Sequence, residues 1–122
     1  MDIPERKDLQ EADFQGADLI EVNLEGANFQ GANLKWTYFI GANFKEADLE
    51  GANLEGAIFE GANLKGANLI EAHLEGTNLE GAKNLSFNQL SKVKTLYSTI
   101  LDEEFLISLK EKYPTLFEKP DK

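Results

Sequence analysis

Ala47-Asp48-Leu49-Glu50-Gly51-Ala52-Asn53-Leu54-Glu55-Gly56-Ala57-Ile58-Phe59-Glu60-Gly61-Ala62-Asn63-Leu64-Lys65-Gly66 is one five-residue phrase written four times. Each unit runs small residue, Asp or Asn, large apolar residue, polar residue, glycine, with Ile58 the one departure. Working outward from it, the period continues from Lys7 to about Ala82. The large apolar centre falls at Leu9, Phe14, Leu19, Leu24, Phe29, Leu34, Phe39, Phe44, Leu49, Leu54, Phe59, Leu64, Leu69, Leu74 and Leu79. From position 12 to position 82 the small position holds Ala, except for Val22, Thr37 and Thr77. The residue between them is Asp or Asn, except for Tyr38, Ile58 and His73. All 10 glycines stand two residues after a centre.

A strict period of five suits neither a helix of 3.6 residues per turn nor a plain strand of period two. It requires a corner in every unit. Small residue and centre are two apart, so a short extended stretch points both inward and the Asp or Asn outward. Glycine then falls at the third position of a type II turn, which needs positive φ. Four right-angle corners close a coil of twenty residues, and coils stack at about the 4.8 Å of neighbouring strands. Fifteen units make 3.75 coils, an all-β solenoid.

The units ADFQG, ADLIE, ANFQG, ANLKW, ADLEG and ANLKG resemble the pentapeptide repeat family, over about two thirds of the chain. That resemblance implies a right-handed quadrilateral parallel β-helix. Of function it implies little beyond a rigid binding surface. Some members are acidic rods that imitate DNA and modulate topoisomerases such as DNA gyrase, which stands as the alternative function. At about 4.8 Å per coil, fewer than four coils give a rod under about 20 Å, short for a mimic of a DNA duplex.

Solenoid ends need covers. After Ala82 the frame slips, so the sequence divides into a β-helix over 1–85 and a helical cap and tail over 86–122. A first helix is expected from the capping box Ser86 to Gln89, through Leu90, Val93, Leu96 and Tyr97. A second is expected from Asp102 as N-cap through Glu103 and Leu109 to Lys112, stopping before Pro114. A dimerisation surface is the other use for this segment. At the opposite end only Ile3 and Pro4 offer cover, so the first coil is expected to fray or to pair with another molecule.

The formal net charge of −10 is uneven: residues 1–85 hold six basic against sixteen acidic residues, and residues 86–122 six against six. An acidic coil repels phosphate backbones, so no direct nucleic acid binding is expected. The plainer role of the charge is to keep the rod soluble. Cysteine is absent, which removes disulfides and thiol chemistry. With no apolar run near the roughly 20 residues of a membrane span and no signal-like start, a soluble cytoplasmic protein is expected, with no membrane partner.

No nucleophile, base or metal set is in register, so no enzyme, no cofactor and no metal site is expected. The only histidine, His73, takes an outward Asp or Asn position and reads as an exposed spectator. Coil spacing sets Glu55 against Glu75 and Glu60 against Glu80 as solvated pairs. The same spacing sets Glu25 against Lys45 and Lys35 against Glu55, as compensated ones.

The repeat breaks its own rule in one cluster. Trp36 takes a glycine position, Tyr38 an Asn position and Ile40 a polar corner, and twenty residues away Ile20 stands beside Ile40 and Ile58 beside Tyr38. Five outward apolar residues on one face, Trp and Tyr among them, form the candidate binding surface for an unknown protein partner or a second copy. Against this stands a purely structural role, either stacking on the coil face or a seat for the N-terminal segment. The expected function is a non-enzymatic protein-protein interaction module or scaffold.

Overall fold

Backbone hydrogen bonding explains why five residues suffice to turn a corner. In the computed structural model, which describes residues 8–121, the N–H groups of a unit follow one repeating scheme. The small residue donates to the preceding centre, as Ala12 N–H does to the Leu9 carbonyl at 3.1 Å, which closes the turn. The outward residue donates to the previous coil (Asn33 to Ala12, 2.9 Å) and the centre to the next (Leu9 to Asn28, 2.7 Å). The second corner residue also reaches the next coil, as Gly16 does to Lys35 at 2.9 Å.

That leaves the N–H of the first corner residue, and the Asp or Asn supplies its acceptor. All twelve Asp and Asn side chains at the outward position accept from the N–H two residues on, at 3.0 to 3.2 Å. A short side-chain oxygen at this distance from the corner is what the site selects. Among these corners only the second central residue of the turn has positive φ, from Glu11 at 57° to Gly16 at 75°. This matches type II geometry, since type I′ would need it at both central residues.

Parallel bridges link each outward residue to its counterpart one coil on, Asp8 to Asn28, Asp13 to Asn33, Asp18 to Tyr38 and Asn23 to Asn43, which defines four sides. The result is a right-handed quadrilateral β-helix with a small helical portion. Its interior is a column of centres and small residues, most of them fully buried from Leu19 onward. Five Phe centres run through the column in contact. Phe39 lies 4.8 Å from Phe44 and 5.0 Å from Phe59, ring centre to ring centre. Phe14 and Phe29 extend the contact toward the N-terminal end. Buried Thr37 and Thr77, in alanine positions, donate their hydroxyls to the Phe14 and Leu54 carbonyls of the previous coil.

The C-terminal end departs from the expected layout. The capping box forms, with Ser86 Oγ accepting from Gln89 N–H and Gln89 Oε1 from Ser86 N–H, but helix α1 is one turn, Phe87–Leu90. The chain then returns to the coil. Bridges His73 to Thr95 and Asn78 to Ile100 carry two sides of the ladder past residue 85, with the coil spacing widened from 20 to 22. Leu96 and Leu101 are buried as centres, and Leu90, Val93 and Leu96, whose spacing also suits a helix, are buried in the core. The Gln89 side chain donates to the Leu64 and Ala67 carbonyls at 2.8 and 2.9 Å, standing in for the ladder that the helical turn interrupts.

Helix α2 spans Glu103–Lys112 from N-cap Asp102, with Glu103 and Glu104 in its first turn and Lys110 and Lys112 in its last, suited to the helix dipole. The Asp102 side chain does not cap the helix and accepts from Gly81 N–H instead. A 3₁₀ turn, Pro114–Phe117, follows. Leu109 is buried, Phe105, Leu106, Leu116 and Phe117 pack on the core, and the Leu116 carbonyl takes the Leu96 N–H at 2.7 Å. That end of the column is thereby covered. The expectations for Ile3 and Pro4 lie outside the described residues.

Candidate functional site

The side carrying Asp18, Tyr38, Ile58, Asn78 and Ile100 is where the outward rule fails most often. Tyr38 and Ile58 are direct ladder partners, flanked by Asp18 and Asn78. Ile20 and Ile40 share the following corner on adjacent coils, where Glu21 N–H donates to the Ile40 carbonyl at 2.8 Å. Trp36 stands on the corner before. The five residues singled out by sequence therefore meet on one side and its two edges. Trp36, Tyr38 and Ile20 are 52%, 45% and 44% exposed, while Ile40 and Ile58 are half-buried.

Two costs attach to this arrangement. Tyr38 and Ile58 offer no side-chain acceptor, and the N–H groups of Ile40 and Glu60 find none among the described residues. Trp36 adopts φ 61°, in the region where a Cβ costs about 1–2 kcal/mol. Its ring lies over Gly56, one coil on, where any Cβ would collide with it. Glu21 and Glu46 likewise lean on Gly41 and Gly66, with flexible side chains that can move aside. The apolar cluster is an arrangement the coil accommodates rather than one it needs.

Ile100, 49% exposed, extends the same ladder and was missed by adding 20 to each position, because the two extra residues near α1 shift the register. The triplet Thr99-Ile100-Leu101 was the available signal, a small residue, an outward residue and a centre. Thr99 confirms the correspondence by donating to the Leu74 carbonyl at 2.6 Å, as Thr77 does to Leu54.

His73 is exposed on a neighbouring side and lines a cavity of about 610 Å³ with Glu75, Lys94, Tyr97, Lys119, Pro120 and Asp121, where the tail meets the coil. Among the described residues no group of three or more His, Cys, Asp or Glu is placed to hold a metal ion. The charge pairs expected along the ladder, Glu25 with Lys45 and Lys35 with Glu55, do not close into ion pairs. Among the described residues only Lys94 and Glu71 do, at 4.0 Å. Exposed side chains at a convex corner gain little by being held together.

A four-sided β-solenoid with a capped end and an apolar face defines a class of repeat protein. The chain belongs to the pentapeptide repeat family, whose pattern matches residues 8–45 and 47–83. It is similar to a pentapeptide repeat protein of the Arabidopsis thaliana thylakoid lumen, at 32% identity over 86% of this chain and 75% of that one, with a TM-score of 0.65. A pentapeptide repeat protein of Nostoc PCC 7120 is 29% identical over 78% and 76% of the two chains, with a TM-score of 0.45. QnrB1, a plasmid-mediated fluoroquinolone resistance protein, is 18% identical over 88% and 83%, with a TM-score of 0.40. No curated protein matches the sequence. Among the described residues no helix is long and apolar enough to cross a membrane.

Proposed function

We propose that the chain is a non-enzymatic interaction module that holds a protein partner on the side bearing Ile20, Trp36, Tyr38, Ile40 and Ile58. One observation carries this reading. Apolar residues replace the acceptor side chains and the corner glycine on adjacent coils of one side, at a cost in hydrogen bonding and backbone strain. Contiguous exposed apolar residues with Trp and Tyr among them are the usual anchors of protein contacts. A rigid coil presents them without ordering cost on binding. A cytoplasmic location belongs to the same proposal, and cell fractionation checks it.

The test compares the wild type with Trp36→Ala/Ile40→Glu in pull-downs from native extract. Both substituted side chains point outward, so the circular dichroism spectrum and melting temperature should hold while the captured protein is lost. Identical captured sets and identical sedimentation for the two would overturn the reading.

The net charge of −10 favours one alternative, modulation of a topoisomerase such as DNA gyrase by imitation of DNA. A supercoiling assay with and without the protein separates the two: an effect that survives Trp36→Ala/Ile40→Glu supports the alternative.

A further inference from the structure

The apolar side is one of the acidic sides of the coil, as is the side of Asp13, Asn33, Asn53 and His73. On the apolar side and its two bounding corners, from Gln15 to Glu80, the register places Asp18, Glu21, Glu55, Glu60, Glu75 and Glu80 against Lys35 alone. Several of them are neighbours of the apolar residues along the ladder. Trp36 N–H donates to the Glu55 carbonyl, Gly41 N–H to that of Glu60, and Glu21 sits between Ile20 and Ile40 on their corner. Among the described residues none of these carboxylates is in an ion pair. The next side, with Asn23, Asn43, Asn63 and Lys83, differs: its far corner adds Lys45 and Lys65 against Glu25 and Glu46.

We infer that the occupant of the apolar face is a basic polypeptide segment, with apolar anchors flanked by Lys or Arg, and not a second copy of this chain. The inference rests on the interaction reading above and adds the chemistry of the partner. A two-fold dimer through this face would press one carboxylate rim against an identical one, which disfavours it. A head-to-tail contact with the neighbouring lysine-bearing side would find no apolar complement to Trp36 and Tyr38 in its outward residues Asn23, Asn43 and Asn63. A cationic segment satisfies both halves of the surface, filling the apolar centre and neutralising the rim. Nucleic acid is repelled by the same rim.

Trp36 is the only tryptophan, so its emission reports on this face alone. The probes are two short synthetic peptides, one alternating Leu with Lys and the other Leu with Glu, titrated into the full chain. The Lys peptide should shift Trp36 emission to the blue and the Glu peptide should not. Raising salt from about 0.1 M to about 1 M, which shortens the screening length from about 10 Å to about 3 Å, should weaken binding about tenfold. Glu55→Gln/Glu60→Gln should weaken it several-fold at low salt, and Glu50→Gln, on another corner, should leave it unchanged.

Equal shifts with both peptides would overturn the basic class while leaving an interaction face in place. No shift with either, with wild type and Ile40→Glu both sedimenting as monomers, would overturn the inference. A wild-type dimer that Ile40→Glu splits would also overturn it and assign the face to a second copy. The pull-down comparison above tests the interaction reading independently of all three outcomes.

Discussion

Two adjacent sides of one coil follow different rules. On one side Asn23, Asn43 and Asn63 each accept a corner N–H, and Asn43 also reaches Asn23 across the coils at 3.3 Å. On the side of Asp18, Tyr38 and Ile58 the acceptor is kept at Asp18 and lost at the next two. Yet the interior behind both sides is the same, with Phe39, Phe44 and Phe59 fully packed. The inward residues and the corners hold the solenoid. The outward position contributes one hydrogen bond, typically about 1 kcal/mol net. That small stake leaves it open to residues that serve something other than the fold.

The largest expected effect breaks the interior that the two sides share. Phe39→Ala empties a fully buried site bounded by Phe44 and Phe59 and should cost about 3–5 kcal/mol in urea unfolding. A loss below about 1 kcal/mol would mean that the column is not the common support.

An intermediate effect is expected where the Trp36 ring meets the backbone. Gly56 and Gly76 have φ of 69° and 66°, so alanine at either costs about 1–2 kcal/mol from the backbone alone. Only at Gly56 does the added Cβ strike the ring, which should add about 1–3 kcal/mol of overpacking. Placing both alanines also in a Trp36→Gly background sharpens the point, since the excess at Gly56 should vanish there. An excess that persists would mean that the ring does not rest on that glycine.

The smallest effect separates a functional face from a structural one. Tyr38→Asn restores the missing acceptor for the Ile40 N–H and should leave stability unchanged or raise it by about 1 kcal/mol. It should also weaken the Lys peptide. A loss of more than about 1 kcal/mol in thermal unfolding would show that Tyr38 stacking itself holds the coil.

Much of this was legible in the period of five. The inward set, the corner glycines and the adjacency of Tyr38 with Ile58 and of Ile20 with Ile40 all follow from counting by twenty. Helix α2 was legible because its signals are local: acids in the first turn, lysines in the last and a proline beyond it. Helix α1 was read too long, since Leu90, Val93 and Leu96 suit a helix or an inward-facing coil equally well. Ile100 escaped for a related reason. Counting by twenty fails once two residues are added, and only the triplet Thr99-Ile100-Leu101 marks where small, outward and central positions resume.

The sequence by itself determined the coil, its four sides and the place where its pattern is broken, because turn, inward packing and the Asp or Asn acceptor all act within a few residues. Tertiary structure alone decided where the ladder resumes after α1, which residues cover the C-terminal end and how the Trp36 ring settles on Gly56. Those outcomes depend on contacts between residues far apart in the chain, Gln89 with Leu64 and Ala67, Leu96 with Leu116, and Trp36 with the coil that follows it.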